Sequence, residues 1–178
     1  LAQIASQLVS VAQLAFLYRL IAPADFGLLG MVLPLVLFLR LFTTLGLNVA
    51  TVGRAEISPE QVSALFWLNL ALGAVTTAVT ALLAPLLVWF YALRGLLPAS
   101  DDQTLLWLTV ALGGTALISA ASAQHQALLE RRLQLARVNG LRVAGQLAGA
   151  VTGVGAALAG AGVWALVAQQ YVELIVLG

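Results

Sequence analysis

Long apolar runs alternate with short charged clusters along the whole chain. Thirteen of the fifteen charged residues fall in four clusters: Arg19 and Asp25; Arg54, Glu56 and Glu60; Arg94, Asp101 and Asp102; and Glu130, Arg131, Arg132, Arg137 and Arg142. Only Arg40 and Glu173 lie inside apolar runs. The runs are about 20 residues or longer, the length at which a helix crosses the hydrocarbon core of a bilayer. The pattern predicts six spanning helices, over about residues 1–18, 28–52, 62–91, 104–129, 138–159 and 163–178. The third is long enough to tilt or protrude. Residues 143–172 also read as one continuous helix, but Gly160-Ala161-Gly162 favours a turn there.

Composition turns this rhythm into a fold class. The chain is 62% hydrophobic and 8% charged, with a mean hydropathy of +1.03. Soluble domains carry about a quarter of their residues as charges, and a domain of 178 residues has too small an interior to hide so much apolar surface. An all-α integral membrane protein is expected. Tyr18, Phe26, Trp67, Trp89, Phe90, Tyr91, Trp107 and Trp164 all fall near expected helix ends, where amphipathic rings prefer the headgroup belt. A net charge of +1 excludes a nucleic-acid partner, which needs a basic face. With no cysteine there is no disulfide framework and no thiolate chemistry. The chain starts at Leu1 and stops at Gly178, both within apolar sequence, and is expected to be a fragment of a longer protein.

The arginines set an expected orientation. Odd-numbered connections carry Arg19 and Arg94, whereas even-numbered ones carry Arg54, Arg131, Arg132, Arg137 and Arg142. Positive charge accumulates on the cytoplasmic side, so the N-terminus and the Glu130–Arg142 segment should be cytoplasmic. All connections are short and leave no room for a soluble catalytic module.

Five polar positions and a glycine stripe stand out within the runs. Arg40, in Leu37-Phe38-Leu39-Arg40-Leu41-Phe42, lies near the middle of the second run. Arginine at a helix centre costs about 2.5–3.5 kcal/mol on insertion scales, so its guanidinium must find water, an acceptor or an anion. Its planar fork suits phosphate oxygens; the structural alternatives are a pair with Glu173 or a span boundary placed so that Arg40 snorkels to the interface. Glu173 reads as a coupling carboxylate, as that partner, or as a residue near a membrane face. His125 lies near the end of the fourth run, and Asn48 and Asn69 lie within spans; each reads as an interhelical hydrogen-bonding group or a substrate contact. Gly145, Gly149 and Gly153 recur every four residues and should let helices approach closely. Pro34 and Pro85 each remove one internal helix hydrogen bond. No Ser/His/Asp set, metal-ligand cluster or phosphate-cradling glycine loop is present in the sequence, so neither an enzyme nor a cofactor is expected.

Several strings carry a family resemblance. Arg19-Leu20-Ile21-Ala22-Pro23-Ala24-Asp25-Phe26-Gly27 resembles the loop after the first helix of Wzx-type oligosaccharide flippases, which are polysaccharide-export proteins of the multidrug/oligosaccharidyl-lipid/polysaccharide (MOP, MATE-like) superfamily. The resemblance continues through Leu45-Gly46-Leu47, Leu65-Phe66-Trp67-Leu68-Asn69-Leu70, Ala84-Pro85 and Gln126-Ala127-Leu128-Leu129-Glu130-Arg131. It ends in Gly160-Ala161-Gly162-Val163-Trp164-Ala165-Leu166-Val167, covers nearly the whole chain, and is strongest to the lipopolysaccharide-biosynthesis branch. After Glu130-Arg131 the chain departs from the pattern, reading Arg132-Leu133-Gln134-Leu135-Ala136-Arg137 without the usual Lys and Phe.

The resemblance implies a six-helix N-terminal lobe of a two-lobed transporter whose C-terminal lobe is missing here. It also implies an undecaprenyl-pyrophosphate-linked oligosaccharide as substrate, moved between leaflets of the bacterial cytoplasmic membrane. The family pattern assigns no role to Arg40. Substrate contact at Arg40, Asn69, His125 and Glu173 is therefore an expectation from their chemistry. A cation-coupled drug antiporter, a membrane-embedded polysaccharide polymerase or ligase, and a non-transporting scaffold are the rival classes. An antiporter for cations favours an acidic cavity, and a polymerase or ligase needs a longer outside loop. The orientation is directly testable, because single cysteines can be placed in a cysteine-free chain. An impermeant thiol reagent added to intact cells should label Ser100→Cys and spare Gln134→Cys; labelling at position 134 would reverse the topology.

Overall fold

The computed structural model describes the backbone of residues 2–52, 59–131 and 135–177, and side chains at 7, 10–11, 13–41, 63–122 and 140–177. The described residues form helices α1 (Ala2–Leu20), α2 (Pro23–Val52), α3 (Pro59–Leu93), α4 (Asp102–Arg131), α5 (Leu135–Leu158) and α6 (Trp164–Leu177), with one 3-10 turn at Ala99–Asp101. There is no strand among the described residues. The protein is an all-α integral membrane protein. Four helical segments are long and apolar enough to span a bilayer: Pro23–Leu41, Ser63–Leu93, Ala99–Ser122 and Gly140–Leu158. The apolar α6 has 14 described residues, about 21 Å at 1.5 Å per residue.

Most helices reach past the apolar runs into the charged clusters, for local reasons. α2 and α3 both open on proline, whose missing N–H is one the first helical turn leaves unpaired anyway. Asp25 and Asp102 stand in the first turns of α2 and α4, where a negative charge suits the positive end of the helix dipole. The ends of α3 and α5 share a second device. At α3, Gly95 N–H donates to Ala92 O (3.0 Å) and Leu96 N–H to Tyr91 O (3.1 Å). At α5, Gly160 N–H donates to Ala157 O and Ala161 N–H to Ala156 O, both at 3.0 Å. Gly95 and Gly160 hold φ of +64° and +82°, the left-handed conformation that terminates a helix in this paired-bond motif. The glycine-rich break between the last two helices is thus a closed turn.

The chain divides into two compact units: residues 1–30 with 125–178, and residues 31–124. The first contains α1, the opening turns of α2, α5 and α6. Its α5 and α6 run antiparallel along the glycine stripe. A Cβ on Gly145 would lie 3.0 Å from Glu173 O, one on Gly149 3.0 Å from Gln169 O, and one on Gly153 3.1 Å from Gln169 Cβ. The stripe therefore serves packing inside this unit. α1 runs parallel to α5: Gln146 Nε2 donates to Ser10 Oγ, and further along Leu17 and Ile21 share a buried cluster with Ala157, Ala165 and Leu166. Tyr18 stacks on Phe26 at 4.2 Å.

The second unit is built from the rest of α2, α3 and the first three-quarters of α4. α3 and α4 meet antiparallel, with Gly73 against Ala120 and Gly113 against Thr80. Leu105, Leu108 and Leu112 are buried, together with Thr76, Thr80, Thr109 and Thr115. Meanwhile Leu82 is 76% and Trp67 63% exposed. Hydroxyls inside and large apolar side chains outside is the arrangement that lipid as solvent demands.

The seam offers a direct test. A Cβ on Gly113 would stand 2.7 Å from Thr80 Cβ, whereas nothing lies within 4 Å of one on Gly155. Gly113→Leu should lower the stability of the detergent-solubilised protein by about 1–3 kcal/mol in an unfolding titration. Gly155→Ala should leave it unchanged or raise it, because glycine weakens a helix interior.

Candidate functional site

The site begins with the length of α2. Its 30 residues reach about 45 Å, and Arg40 stands some 25 Å from the first of them. Apolar neighbours on both sides let the helix insert, and the cation is carried in with it. Half-buried, it is met there by Thr115, which is fully buried near the middle of α4. Arg40 Nη2 donates to Thr115 Oγ1 at 2.6 Å. The same hydroxyl donates its own proton to Leu112 O at 2.5 Å. Guanidinium, hydroxyl and carbonyl thus form a short relay, in which the backbone of α4 fixes the hydroxyl and the hydroxyl aims the guanidinium.

The relay sits in a layer of threonines. Thr77 Oγ1 donates across to Gly113 O at 3.1 Å, and this bond ties α3 to α4 two residues from Thr115. Thr76, Thr80 and Thr109 turn their hydroxyls back to their own helix, on Leu72 O (2.9 Å), Thr76 O (2.7 Å) and Leu105 O (2.7 Å). A hydroxyl satisfied in this way can be buried at little cost. Tyr91 OH donates to Met31 O at 3.5 Å and links α3 to α2. Such a layer offers hydroxyls and a guanidinium; among the described residues no cluster of His, Asp, Glu or Cys suits a metal.

The four residues singled out from the sequence do not converge in one unit. Asn69 is half-buried on α3 in the unit of Arg40, on the face that carries Gly73, Thr76 and Thr80 toward α4. It lies eleven residues, about 16 Å along the helix, from Thr80. Glu173 belongs to the other unit, half-buried on the face of α6 that packs on Gly149. The side chains of His125 and Asn48 lie outside the described residues, as do those of Arg54, Arg131, Arg132 and Arg137. Sequence reasoning missed Thr115. The available signal was weak: six threonines recur from Thr76 to Thr115 on α3 and α4, but threonine is common in apolar helices.

Comparison with known proteins supplies the frame for this geometry. The defining pattern of the family described as polysaccharide biosynthesis protein matches residues 16–178. The chain belongs to that family. It is 30% identical over 165 residues to the succinoglycan biosynthesis transport protein ExoT of Rhizobium meliloti (strain 1021), covering 90% of this chain and 31% of that protein. It is 26% identical over 122 residues to an uncharacterized membrane protein in the cps region of Klebsiella pneumoniae, covering 68% of this chain and 23% of the relative. The chain therefore spans about a third or less of the length of these relatives. No solved structure matches it significantly. This member of the polysaccharide biosynthesis family is a multi-pass membrane protein, with a cation on an apolar helix held by a hydroxyl of another.

The Arg40–Thr115 bond should be measurable as a coupling. Thr115→Val keeps the side-chain shape and removes the acceptor, and should cost about 1 kcal/mol in unfolding titrations. Thr115→Ser should restore most of this. In a double-mutant cycle with Arg40→Gln the two losses should be non-additive.

Proposed function

We propose that the chain is the N-terminal six-helix lobe of a MOP-type flippase. It moves a polyprenyl-pyrophosphate-linked oligosaccharide across the bacterial cytoplasmic membrane for polysaccharide or lipopolysaccharide assembly. The remainder of the longer protein supplies a second lobe, and the N-terminus of this lobe is cytoplasmic. The observation that carries the reading is Arg40: a guanidinium inside a membrane span, aimed by a hydroxyl that is itself anchored to a backbone carbonyl.

The difficult part of such a substrate is its pyrophosphate. An anion crossing hydrocarbon loses its hydration, and the protein must replace that water with donors and positive charge. Arginine does this better than lysine, because its planar fork matches two phosphate oxygens at once. The bond from Arg40 to Thr115 links a cation to a neutral acceptor, and a phosphate oxygen is a stronger acceptor for the same N–H. Binding exchanges one partner for the other without moving the helix. Asn69, His125 and Glu173 are assigned to further contacts with the head group. No bond is made or broken, so the activity is transport and not catalysis. A buried arginine speaks for an anionic cargo over the cationic drugs of related antiporters. The polysaccharide context of the family and the transport function in one relative's name support the same reading.

Arg40→Ala in the full-length protein should reduce export of lipid-linked glycan by about tenfold or more, the equivalent of one charge-assisted hydrogen bond. Its level in the membrane should be unchanged, and Arg40→Lys should fall between. Polymer output at the wild-type level from the alanine variant would remove Arg40 from the mechanism.

A further inference from the structure

Among the described residues of the unit formed by 1–30 and 125–178, two glutamines each hold one buried amide atom without a hydrogen-bond partner. Gln13 on α1 is 7% exposed, and its Nε2 has no acceptor. Gln169 on α6 has a buried Oε1 with no donor. An unpaired amide atom is costly where no water competes, and a buried one in a folded protein calls for a partner that is not yet in place.

The helix registers put the two in one layer. Leu17 and Leu166 belong to the same buried cluster. Gln13 precedes Leu17 by one turn on α1, and Gln169 follows Leu166 by nearly one turn on α6. Because α1 runs with α5 and α6 runs against it, both steps lead away from the cluster in the same direction. Gln169 lies on the face of α6 that meets Gly149 and Gly153, and Glu173, one turn on, shares that face. On the α1 side, Gln146 and Ser10, already bonded to each other, follow in the same direction. The layer beneath the apolar cluster is thus lined by neutral amides, a hydroxyl and one carboxylate.

Its chemistry differs from that around Arg40. One orphan is a donor and the other an acceptor, and hydroxyl groups suit both kinds: a hydroxyl accepts from an amide N–H such as Gln13 Nε2 and donates to an amide oxygen such as Gln169 Oε1. An anion would satisfy only the first. We infer that Gln13 and Gln169 form a neutral subsite for the sugar hydroxyls of the cargo, separate from the anion site at Arg40. The inference rests on the flippase reading for the identity of the sugar. Glu173 is a further acceptor for hydroxyls of the same head group.

The test uses the full-length protein in lipid nanodiscs. Two probes are compared by equilibrium binding: undecaprenyl pyrophosphate bearing an oligosaccharide, and bare undecaprenyl pyrophosphate. Gln13→Met and Gln169→Met keep side-chain length and remove the amide, and melting temperatures report that each variant folds. Each should weaken the glycosylated ligand about fivefold, the loss of one neutral hydrogen bond, and leave the bare pyrophosphate within twofold. Gln13→Asn and Gln169→Asn, which keep the amide but retract it, should show the same selectivity with a smaller loss. Equal weakening of both probes overturns the subsite. So does unchanged affinity for the glycosylated probe with a raised melting temperature, which would mean that the amides hold water alone. Arg40→Ala should weaken both probes; if it weakens neither, the anion site falls while the sugar-selective effect of the glutamines stands or falls by itself.

Discussion

A backbone placed in hydrocarbon must pair every N–H and C=O within its own segment, because no water is available to do so. Most of what this protein is follows from that condition. It accounts for an all-helical chain, for helix ends closed by bonds back onto the last turn at Gly95 and Gly160, and for prolines at the first positions of α2 and α3. It also inverts the usual distribution of side chains. Large apolar side chains such as Leu82, Trp67 and Val151 face outward, while Thr76, Thr80, Thr109, Thr115 and Gln13 lie inside beside the core leucines.

The same condition governs how polar side chains are admitted. Threonine enters at low cost because its hydroxyl can return to the carbonyl one turn before it, as Thr76, Thr80 and Thr109 do. Once such hydroxyls line α3 and α4, glycines at positions 73 and 113 let the two helices approach, and a cross-helix bond from Thr77 to Gly113 becomes possible. Thr115 extends the logic to a charge. Its proton is committed to α4, so its oxygen faces Arg40 as a fixed acceptor. The neutral amides of the other unit are handled differently, and their unpaired atoms mark a place where the fold leaves hydrogen bonds to something else.

The flippase proposed for this member of the polysaccharide biosynthesis family would use these features together. A glycolipid head group combines anionic phosphates with neutral hydroxyls, and a transporter for it needs both kinds of contact inside a membrane. In that proposal the guanidinium of Arg40 meets the first need, and the amides of Gln13 and Gln169 meet the second. Neither requires a metal, a nucleophile or a bound cofactor.

The sequence by itself determined the class of fold, because hydropathy over about 20 residues is a local property that the bilayer reads directly. It also determined the break at Gly160-Ala161-Gly162, where two glycines with positive φ lie close together, and it exposed Arg40, because a charge inside an apolar run is conspicuous without any partner. The tertiary structure decided what these residues meet. Thr115 lies 75 residues from Arg40, and nothing in an isolated apolar helix tells a threonine that turns back on its own backbone from one that receives a cation. Gln13 and Gln169 were silent for the same reason: nothing in the sequence of α1 or α6 tells a glutamine that packing encloses from one that it leaves outside. Six runs of similar hydropathy likewise do not reveal that α2 and α4 are each shared between two compact units. That division depends on which faces pack, and the glycines and threonines that shape those faces differ too little in hydropathy from their neighbours to announce it.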